Sequence, residues 1–434
     1  MHEGEARWPP PGSECTGFSR LLSCGKLSQA PSLFPGWRGR RAWALAAQAR
    51  LTEVPLRILI SAGEASGDRY AAAVAARLRT RFPDADLFGC TGPLMRAAGV
   101  RTVVDSGSLA VVGLLEVVLH LPRVYGEYRK LLREAERARP DLAVLTDSPD
   151  FHLRVAARLK RQGIPVVYLV APQVWAWREG RVKTLRRVVD HLLCIFPFEE
   201  PYFQRRGVRA TYIGHPLAHT IGVSCSREEF FRKHRLALDR PLVVVLPGSR
   251  RGEAKRHLPA LLDAVARIYR EQAVHCLLPA SAHTGADFFR ERLGAAPIQV
   301  IEGETWDALG HADVALAASG TVTVEAALLG TPLVTFYRVS WPSWLAGKAL
   351  VRVPFYCMVN LVAGRRVVTE WMQNAMTGEN LARETLRLLR DPAARARMKQ
   401  DLREVAARLT VAQDPMARAA EVVEEYLDAK CMEI

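Results

Sequence analysis

Two short segments place carboxylates and hydroxyl groups directly after apolar stretches of the chain. Residues 147–152 read DSPDFH and follow the apolar residues 141–146. Asp147 comes immediately after that stretch, where an inward-facing carboxylate can accept a proton from an attacking hydroxyl group. Asp150 is the alternative base, although its side chain could equally cap the helix that follows. Position alone favours Asp147, because ligands of parallel α/β sheets lie beyond the carboxyl ends of the strands.

The second segment, residues 61–68, reads SAGEASGD. Its small residues allow the backbone to approach a ligand closely, and residues 67–68 open a helix whose N-terminus offers unpaired N–H groups. We therefore predict that Glu64, Ser66 and Asp68 face a ligand, whereas helix capping would account for only one of them. The G-x-G-x-x-G spacing is absent, which disfavours a nicotinamide-dependent oxidoreductase.

Residues 246–250, LPGSR, follow another apolar stretch and suit a phosphate group. Gly248 permits close backbone approach, Ser249 supplies a hydroxyl group, and Arg250 supplies a guanidinium fork that matches phosphate oxygens. A nucleotide diphosphate is the predicted ligand. The alternative is an ordinary surface turn. The strand that precedes these residues is fully apolar, which disfavours this alternative.

A second phosphate-type helix start is predicted at residues 318–321, ASGT. Ser319, Gly320 and Thr321 would present N–H and hydroxyl groups to an anion. Glu325 lies one turn into the helix, where a carboxylate can accept hydrogen bonds from both ribose hydroxyls. A carboxylate near a helix start is also favourable for electrostatic reasons alone.

Residues 360–365, NLVAGR, present an amide at Asn360 and a guanidinium at Arg365. With Arg250 these groups would stabilise a departing diphosphate in place of a metal ion. No cluster of His, Cys and Asp has metal-ligand spacing, so we predict neither a metal nor another cofactor. Trp175 follows a further strand, and its ring could stack on a sugar or simply pack within the protein.

Apolar strands alternate with amphipathic helices along the chain. The predicted strands are residues 56–62, 141–146, 164–170, 191–196, 210–213, 241–246, 274–278, 298–301, 314–318 and 332–336. The predicted helices include residues 67–82, 155–162, 181–189, 258–272 and 322–329. Repeated strand–helix units imply two α/β lobes, each with a parallel sheet and right-handed crossovers, that face a central cleft.

We assign residues 56–220 to the first lobe and residues 221–377 to the second, with a linker at residues 216–226. Residues 378–434 are predicted to form helices, one or two of which pack back on the first lobe. Residues 1–55 are rich in Pro, Gly, Ser, Trp and Arg and show weak periodicity. They are predicted to be disordered, and are either an organellar transit peptide or a stretch upstream of the true translation start.

The composition is that of a globular protein with a basic surplus. The chain has 434 residues and a formal charge of +15, from 60 Lys and Arg against 45 Asp and Glu. The surplus indicates either an anionic partner or arginines spread over a solvated surface. The eight cysteines include no CxxC pair, which favours free thiols in a reducing compartment.

The sequence contains no apolar run of the ~20 residues that a membrane-spanning helix needs. Residues 109–121 are nonetheless strongly apolar, and four basic residues follow them closely: Arg123, Arg129, Lys130 and Arg133. This combination suits docking on an anionic membrane surface, while a buried core helix is the alternative. Residues 341–348, WPSWLAGK, form a second candidate of the same kind.

Seven motifs, taken in order, resemble those of the lipid-A-disaccharide synthases from about residue 56 to the C-terminus. They are GEASGD at residues 63–68, DSPDF at 147–151, VWAWR at 174–178, IGHPL at 213–217, LPGSR at 246–250, ASGT at 318–321 with Glu325, and NLVAGR at 360–365. The chain departs from the family at His152, where Asn is common, and at His219, where Asp is common. Residues 1–55 have no counterpart.

The resemblance implies a GT-B fold of two Rossmann-like lobes and an inverting glycosyltransferase of lipid A biosynthesis. The donor would be UDP-2,3-diacylglucosamine and the acceptor 2,3-diacylglucosamine 1-phosphate. The products would be the β-1′,6-linked disaccharide and UDP. Asp147 matches the family's proposed base. The positions matched on the nucleotide side are Arg250, Glu325, Asn360 and Arg365.

The resemblance also implies a cytoplasmic enzyme of a Gram-negative bacterium, bound peripherally to the anionic inner-membrane surface, with no nucleic-acid partner and compatible with a homodimer. The predicted acceptor-side residues are Glu64, Ser66, Asp68 and Trp175. Two other classes stay open. One is another GT-B enzyme, such as a UDP-GlcNAc epimerase or a peptidoglycan glycosyltransferase. The other is a non-enzymatic basic protein that binds nucleic acid or anionic lipid, against which the ordered polar loops at strand ends argue.

Overall fold

The computed structural model describes residues 55–109, 114–282, 284–341, 344–345, 347, 351 and 353–433, and its strands form two separate sheets. The first sheet contains β1 (Arg57–Ala62), β2 (Asp86–Thr91), β3 (Arg101–Asp105), β4 (Leu142–Thr146), β5 (Val166–Leu169), β6 (His191–Cys194) and β7 (Ala210–Tyr212). Its strands are all parallel, in the order β3-β2-β1-β4-β5-β6-β7. The chain reverses its direction of travel across the sheet between β1 and β4, which opens a crevice at the carboxyl ends of these two strands.

The second sheet repeats this arrangement. It contains β8 (Leu242–Leu246), β9 (His275–Ala280), β10 (Gln299–Glu302), β11 (Val314–Ala318), β12 (Leu333–Tyr337) and β13 (Glu370–Met372). Its strands are parallel, in the order β10-β9-β8-β11-β12-β13. The equivalent crevice lies between β8 and β11. Two parallel α/β lobes are thereby confirmed.

Helices connect the strands and cover both sheets. Those up to the start of the second sheet are α1 (Ala65–Arg81), α2 (Pro93–Ala97), α3 (Leu114–Ala138), α4 (Pro149–Arg161), α5 (Val174–Trp177), α6 (Val182–Val188), α7 (Glu199–Gln204) and α8 (Arg227–Lys233). Those that follow are α9 (Arg251–Glu271), α10 (Ala286–Leu293), α11 (Thr305–His311), α12 (Thr321–Leu328), α13 (Met358–Ala363), α14 (Gly378–Arg390), α15 (Pro392–Leu409) and α16 (Pro415–Glu433). Short 3-10 turns occur at Ser106–Ser108, Glu179–Arg181, Pro216–His219 and Gln373–Ala375. Among the described residues, no helix is both long enough and apolar enough to cross a lipid bilayer.

Three strands and several helix starts differ from the predictions. β2, β3 and β13 were not predicted, because they are short or interrupted by polar residues and two of them lie at a sheet edge. Helix α9 begins seven residues before the predicted residue 258, since its first two turns are polar and mostly exposed. Helix α4 begins at Pro149, so Asp150 belongs to a helix and not to a loop.

Buried apolar side chains cover both faces of the first sheet. Ile58 and Ile60 of β1 point into one cluster, and Leu59 between them points into another on the opposite face. The first cluster continues through α16, with Val423 and Leu427, into the second lobe. Burial on both faces explains why these strands are uninterrupted apolar runs in the sequence.

The C-terminal helices divide between the two lobes. Helix α14 packs along α9, and α15 packs against α12 and α13 of the second lobe. Helix α16 packs against α1 and β4 of the first lobe, and the Lys430 ammonium lies 2.8 Å from the Asp141 carboxylate beside β4. The predicted return to the first lobe is thus confirmed for α16, while α14 and α15 cover the second.

Two chain segments pass between the lobes and touch each other. The first lies between β7 and α8, and the second joins α15 to α16. The backbone N–H of His215 in the first donates at 2.9 Å to the carbonyl of Leu409, the last residue of α15, where the second begins. Gly214 has a φ of +89°, and a Cβ atom there would lie 2.4 Å from Cγ2 of Val411. Glycine is therefore required both by the backbone conformation and by the close approach.

We expect Gly214→Ala to lower the free energy of unfolding by about 2 kcal/mol or more, because left-handed strain and a steric clash add together. Gly163→Ala is the matched control, since Gly163 has a φ of +75° and nothing within 4 Å of its would-be Cβ. The control should lose only the backbone contribution, about 1 kcal/mol. Urea unfolding followed by circular dichroism measures both. Equal losses would show that the contact with Val411 adds nothing.

Candidate active site

The Asp147 carboxyl lies against the loop that follows β1. Its Oδ1 accepts a hydrogen bond from the backbone N–H of Gly63 at 2.8 Å, and its Oδ2 accepts one from that of Glu64 at 3.0 Å. Only 13% of the side chain is exposed. Burial raises the pKa of Asp147 to about 7, although the two N–H groups oppose the rise. A carboxyl with this pKa is partly ionised near neutral pH, which suits a general base.

The loop after β1 reaches the carboxyl because Gly67 carries no side chain. A Cβ atom at position 67 would lie 1.7 Å from Oδ2 of Asp147. Gly67 belongs to the first turn of α1, so the start of that helix packs directly onto the residue that follows β4. The two segments that the sequence singled out are therefore in contact.

Two buried side chains hold the backbone of Asp147 in a left-handed conformation. Its φ is +52°, and that of Ser148 is +38°. The Tyr168 hydroxyl donates to the Asp147 carbonyl at 2.5 Å, and Nδ1 of His152 donates to the same oxygen at 3.0 Å. Nε2 of His152 then accepts from the Ser61 hydroxyl at 2.8 Å. Burial lowers the pKa of His152 to about 4, so the ring is neutral and positions the loop.

Asp150, the alternative base, is engaged with two arginines. Nη1 of Arg178 lies 3.2 Å from its Oδ2, and Arg181 donates to its Oδ1. Burial acts to raise the pKa of Asp150, but the hydrogen bonds and charges of Arg181 and Arg178 outweigh it and lower the pKa. The helix-capping alternative is not realised, since Ser148 occupies the N-cap position of α4. A carboxylate held ionised in this way is a weaker proton acceptor than Asp147.

The predicted ligand-facing residues after β1 are of two kinds. Glu64 and Ser66 are exposed. Asp68 is 3% exposed, and its carboxylate accepts three backbone N–H bonds, between 2.9 and 3.0 Å, around the start of α2. Asp68 therefore caps a neighbouring helix and not its own, which makes it a positioning residue for this side of the crevice.

Trp175, in α5, is half-buried and anchored by its indole nitrogen. Nε1 donates to Oε1 of Glu199 at 3.0 Å, and the ring meets that of Phe198 edge-on with centroids 4.9 Å apart. Burial raises the pKa of Glu199 to about 8, although the hydrogen bonds from Trp175 and from the backbone N–H of Phe196 act to lower it. One side of the ring thus packs within the protein, and stacking of the ring on a sugar stays a prediction.

Residues 248–250 join β8 to α9. Gly248 is half-buried, whereas Ser249 and Arg250 are exposed. The Ser249 carbonyl accepts a hydrogen bond from the Thr284 hydroxyl at 2.7 Å, which fixes the loop. The Arg250 guanidinium lies 3.5 Å from Oε1 of Glu253 and is 73% exposed. An exposed guanidinium at the N-terminus of a long helix is a favourable place for an anion.

Ser319, Gly320 and Thr321 lie where β11 ends and α12 begins. The Ser319 hydroxyl donates to the Tyr356 carbonyl at 2.9 Å. Gly320 occupies the N-cap position of α12, and both Gly320 and Thr321 are exposed. With no side chain at the N-cap position, the first-turn N–H groups are not blocked by the capping residue.

Glu325, one turn into α12, marks where the second lobe approaches the first. Its Oε2 accepts from Nε1 of Trp306 at 3.0 Å. Burial raises the pKa of Glu325, while the Trp306 hydrogen bond and the positive charge of Arg69 oppose the rise. Arg69 belongs to α1 of the first lobe. The negative charge of Glu325 also helps to raise the pKa of Tyr70, the next residue of α1, although burial is the main cause. The starts of α1 and α12 therefore lie within electrostatic reach of each other.

The structure engages Asn360 and Arg365 within the second lobe. Asn360 is fully buried, and its amide bonds to the backbone of Val367 and Val368 and to the Glu370 carboxylate. The Arg365 guanidinium bonds to two carboxylates of α15, those of Asp401 and Glu404, at 2.9 and 3.1 Å. Both side chains already have partners and hold this loop in place. The sequence had instead predicted that both would be available to a diphosphate.

One group of side chains outside these loops has the composition of a metal site. Cys225, Asp307 and His311 place their potential ligand atoms within 4.8 Å of one another, and no other such group occurs in the described part of the chain. Asp307 accepts hydrogen bonds from the N–H and hydroxyl groups of Ser224, and Nε2 of His311 donates to the Cys225 carbonyl at 2.9 Å. These bonds account for the cluster without a metal ion.

Several residues at the crevices were not predicted. Tyr168 and His152 hold Asp147, and His257 holds the residue 248–250 loop by donating from Nδ1 to the Pro247 carbonyl at 2.7 Å. Each lies inside a strand or helix, where apolar periodicity gives no sign of a polar contact. His152 could have been found from its departure from the Asn that is common in the family.

Solved structures share the architecture. A putative UDP-N-acetylglucosamine 2-epimerase of Listeria monocytogenes has a TM-score of 0.58 at 13% identity, with 87% of this chain and 98% of that chain covered. The calicheamicin glycosyltransferase CalG4 has a TM-score of 0.52 at 19% identity, with 87% and 99% covered. Likeness at such identities shows the fold, and the predicted GT-B fold is confirmed.

Sequence comparison goes further than the fold. A model of the lipid-A-disaccharide synthetase family matches residues 58–423. The lipid-A-disaccharide synthase of Solibacter usitatus is 67% identical over 374 residues, which are 86% of this chain and 98% of that protein. The enzyme of the same name from Koribacter versatilis is 47% identical over 354 residues, or 81% of this chain and 92% of that protein. The chain therefore belongs to the lipid-A-disaccharide synthetase family.

Proposed function

We propose that the protein transfers 2,3-diacylglucosamine from UDP-2,3-diacylglucosamine to the 6-hydroxyl of 2,3-diacylglucosamine 1-phosphate, giving the β-1′,6-linked lipid A disaccharide and UDP. Membership of the family supports the reaction. The observation that carries the mechanism is the buried Asp147 carboxyl, held by two N–H groups at the crevice of the first lobe. Its pKa of about 7 suits removal of a proton from an attacking hydroxyl.

The transfer is a single displacement at the anomeric carbon of the donor. Ionised Asp147 accepts the proton of the acceptor 6-hydroxyl as that oxygen forms the new glycosidic bond. The bond from the anomeric carbon to the UDP oxygen breaks, and its electron pair leaves with UDP. Attack on the face opposite UDP converts the α-linkage of the donor into a β-linkage.

The second lobe supplies groups that suit the departing diphosphate. Arg250 offers an exposed guanidinium, and the helix starts at residues 248–250 and 319–321 offer N–H groups. Glu325 is the proposed acceptor of hydrogen bonds from the ribose hydroxyls. On the acceptor side, Glu64, Ser66 and the ring of Trp175 are the proposed contacts, with Asp68 as a positioning residue. Asn360 and Arg365 support the donor loop through the contacts that hold it.

We expect Asp147→Asn to lower kcat by about 10²- to 10⁴-fold, because the hydroxyl proton then has no acceptor. UDP release from the diacylated donor with acceptor present measures the rate. Unchanged UDP affinity, measured by calorimetry, would show that the variant folds. Asp239→Asn, at an exposed carboxylate, is the control that keeps activity. Full activity of Asp147→Asn would remove the assignment, and turnover of unacylated sugars alone would replace the lipid substrate with another GT-B reaction.

The pH profile tests the same residue without a mutation. Because the base acts only when ionised, kcat/KM should fall tenfold per pH unit below about 7 and level off above it. An acceptor without its phosphate should keep this limb, which excludes titration of the substrate phosphate as its cause. A profile that is flat from about pH 6 to pH 8 would contradict a base with the pKa of Asp147.

We also propose that the protein binds peripherally to the anionic cytoplasmic face of the inner membrane. Residues 110–113 lie outside the described part of the chain, as do the side chains of residues 110–121, so the apolar stretch stays a prediction. Four exposed basic residues follow it on α3: Arg123, Arg129, Lys130 and Arg133. Trp341 and Leu345 of the second predicted stretch are 64% and 62% exposed, which favours an interfacial contact. A homodimer also stays a prediction.

A triple variant in which Arg129, Lys130 and Arg133 are each changed to Gln should bind phosphatidylglycerol vesicles at least tenfold more weakly. The reason is that each basic residue near the surface contributes about 1 kcal/mol to binding. Cosedimentation with these vesicles, and with neutral phosphatidylcholine vesicles, measures the effect. The matched control replaces three basic residues of α15: Arg397, Lys399 and Arg403. Equal losses in both variants would mean that net charge, and not this surface, determines binding.

A further inference from the structure

Two arginines converge on one exposed carboxylate at the crevice of the first lobe. Nη1 of Arg178 lies within 3.3 Å of both carboxylate oxygens of Asp150, and Arg181 donates to Oδ1. The Asp150 side chain is 68% exposed. Because exposed ion pairs contribute little to folding stability, stabilisation alone is a poor explanation for this cluster. Two positive charges against one negative leave the cluster with a net charge of +1.

One nearby acidic residue, Glu179, is already paired with other groups. Glu179, the acidic residue between the two arginines in sequence, is bonded to Arg206 at 2.6 Å and to the Tyr202 hydroxyl at 3.4 Å. The guanidinium of Arg178 lies over the ring of Trp177 with 4.0 Å to the centroid, and that ring is 45% exposed. The ring contacts one face of the guanidinium and leaves its in-plane N–H groups able to form hydrogen bonds, of which Nη1 already bonds to Asp150.

The cluster also lies close to the proposed base. Asp150 comes three residues after Asp147, in the first turn of α4. The hydroxyl of Tyr168 donates to the Asp147 carbonyl at 2.5 Å, and the charges of both Asp147 and Arg181 act on that hydroxyl. Arg181 is therefore within electrostatic reach of the group that anchors the base.

We propose that Arg178 and Arg181, held in place by Asp150, bind the anomeric phosphate of the acceptor sugar. This assignment rests on the proposed function, because an acceptor with a 1-phosphate carries its attacking 6-hydroxyl and its dianion at opposite ends of one sugar ring. With the 6-hydroxyl at Asp147, the phosphate would lie about one sugar ring away, a span that fits the three residues of chain from Asp147 to Asp150. The guanidinium pair there is a cationic group of suitable geometry, because its forks match phosphate oxygens.

The test compares two acceptors, 2,3-diacylglucosamine 1-phosphate and 2,3-diacylglucosamine, with the same diacylated UDP donor. Wild-type kcat/KM should fall about 10- to 100-fold when the acceptor lacks its phosphate, as expected for lost charged hydrogen bonds. Arg181→Gln and Arg178→Gln should each have a lower kcat/KM than wild type toward the phosphorylated acceptor. For either variant, removing the phosphate from the acceptor should lower kcat/KM only slightly further. The double variant should barely distinguish the two acceptors.

Arg161→Gln is the matched control, since Arg161 stands at the opposite end of α4 and bonds only to the Ala157 carbonyl of its own helix in the described contacts. It should keep the wild-type preference for the phosphate. UDP affinity, which depends on the other lobe, should be unchanged in every variant and shows that the fold is intact.

The outcomes separate this assignment from the proposed function. Variants that keep the wild-type preference for the phosphorylated acceptor would overturn the assignment alone. A wild-type protein that releases no UDP with either acceptor would overturn the proposed function, and the assignment with it. A wild-type enzyme that uses both acceptors equally well would show that the phosphate is not recognised at all.

Discussion

The contact between the Asp147 carboxyl and the backbone N–H groups of Gly63 and Glu64 constrains the whole first crevice. It requires the loop after β1 to lie directly against the residue after β4, and it requires glycine at position 67 because a Cβ atom would overlap Oδ2. The carboxyl is thereby removed from water without losing its hydrogen bonds. The balance of these two effects sets its pKa near neutrality, since burial favours the protonated form and the N–H groups favour the ionised form.

Holding an aspartate in this place has a conformational cost that the neighbouring side chains offset. Left-handed backbone at a non-glycine residue costs about 1–3 kcal/mol, and both Asp147 and Ser148 adopt it. The Tyr168 hydroxyl and the neutral His152 ring both donate to the Asp147 carbonyl, which fixes the peptide in that orientation. The side chain therefore needs no rearrangement when a substrate arrives, and such preorganisation favours a proton transfer.

The sequence predicted the elements whose apolar pattern is continuous and the loops that follow them. Strands β1, β4, β8 and β11 were predicted within one or two residues, and the crevices of both lobes lie at their carboxyl ends. Residue type and position after a strand do not, however, reveal whether a polar side chain is already satisfied by its own chain. Asp68 and Asn360 occupy expected positions, yet both are already hydrogen-bonded to backbone groups outside their own motifs. Arg69 and Tyr168 were not predicted, because a single polar contact does not change the apolar periodicity of a helix or strand.

The two lobes prepare their crevices in different ways. In the first, the polar groups bind one another: the carboxyl of Asp147 is paired with N–H groups, and Asp150 is paired with arginines. In the second, Ser249, Arg250, Gly320 and Thr321 are exposed at two helix starts. One lobe therefore holds a preset carboxyl, and the other holds two exposed helix starts. In the proposed reaction the first would activate the nucleophile and the second would receive the leaving group.

The positive charge available to that leaving group follows from the pairing of each arginine. Arg365 is bonded to both Asp401 and Glu404, so a diphosphate could recruit it only by displacing two carboxylates. Arg250 lies 3.5 Å from a single carboxylate, that of Glu253, which also accepts from the Tyr337 hydroxyl at 2.9 Å. Because Glu253 is already bonded to Tyr337 and Arg250 is 73% exposed, Arg250 can turn toward a phosphate at much smaller cost. In the proposed mechanism the second lobe would therefore stabilise the leaving group through Arg250 and the helix starts, while Arg365 keeps its loop on α15.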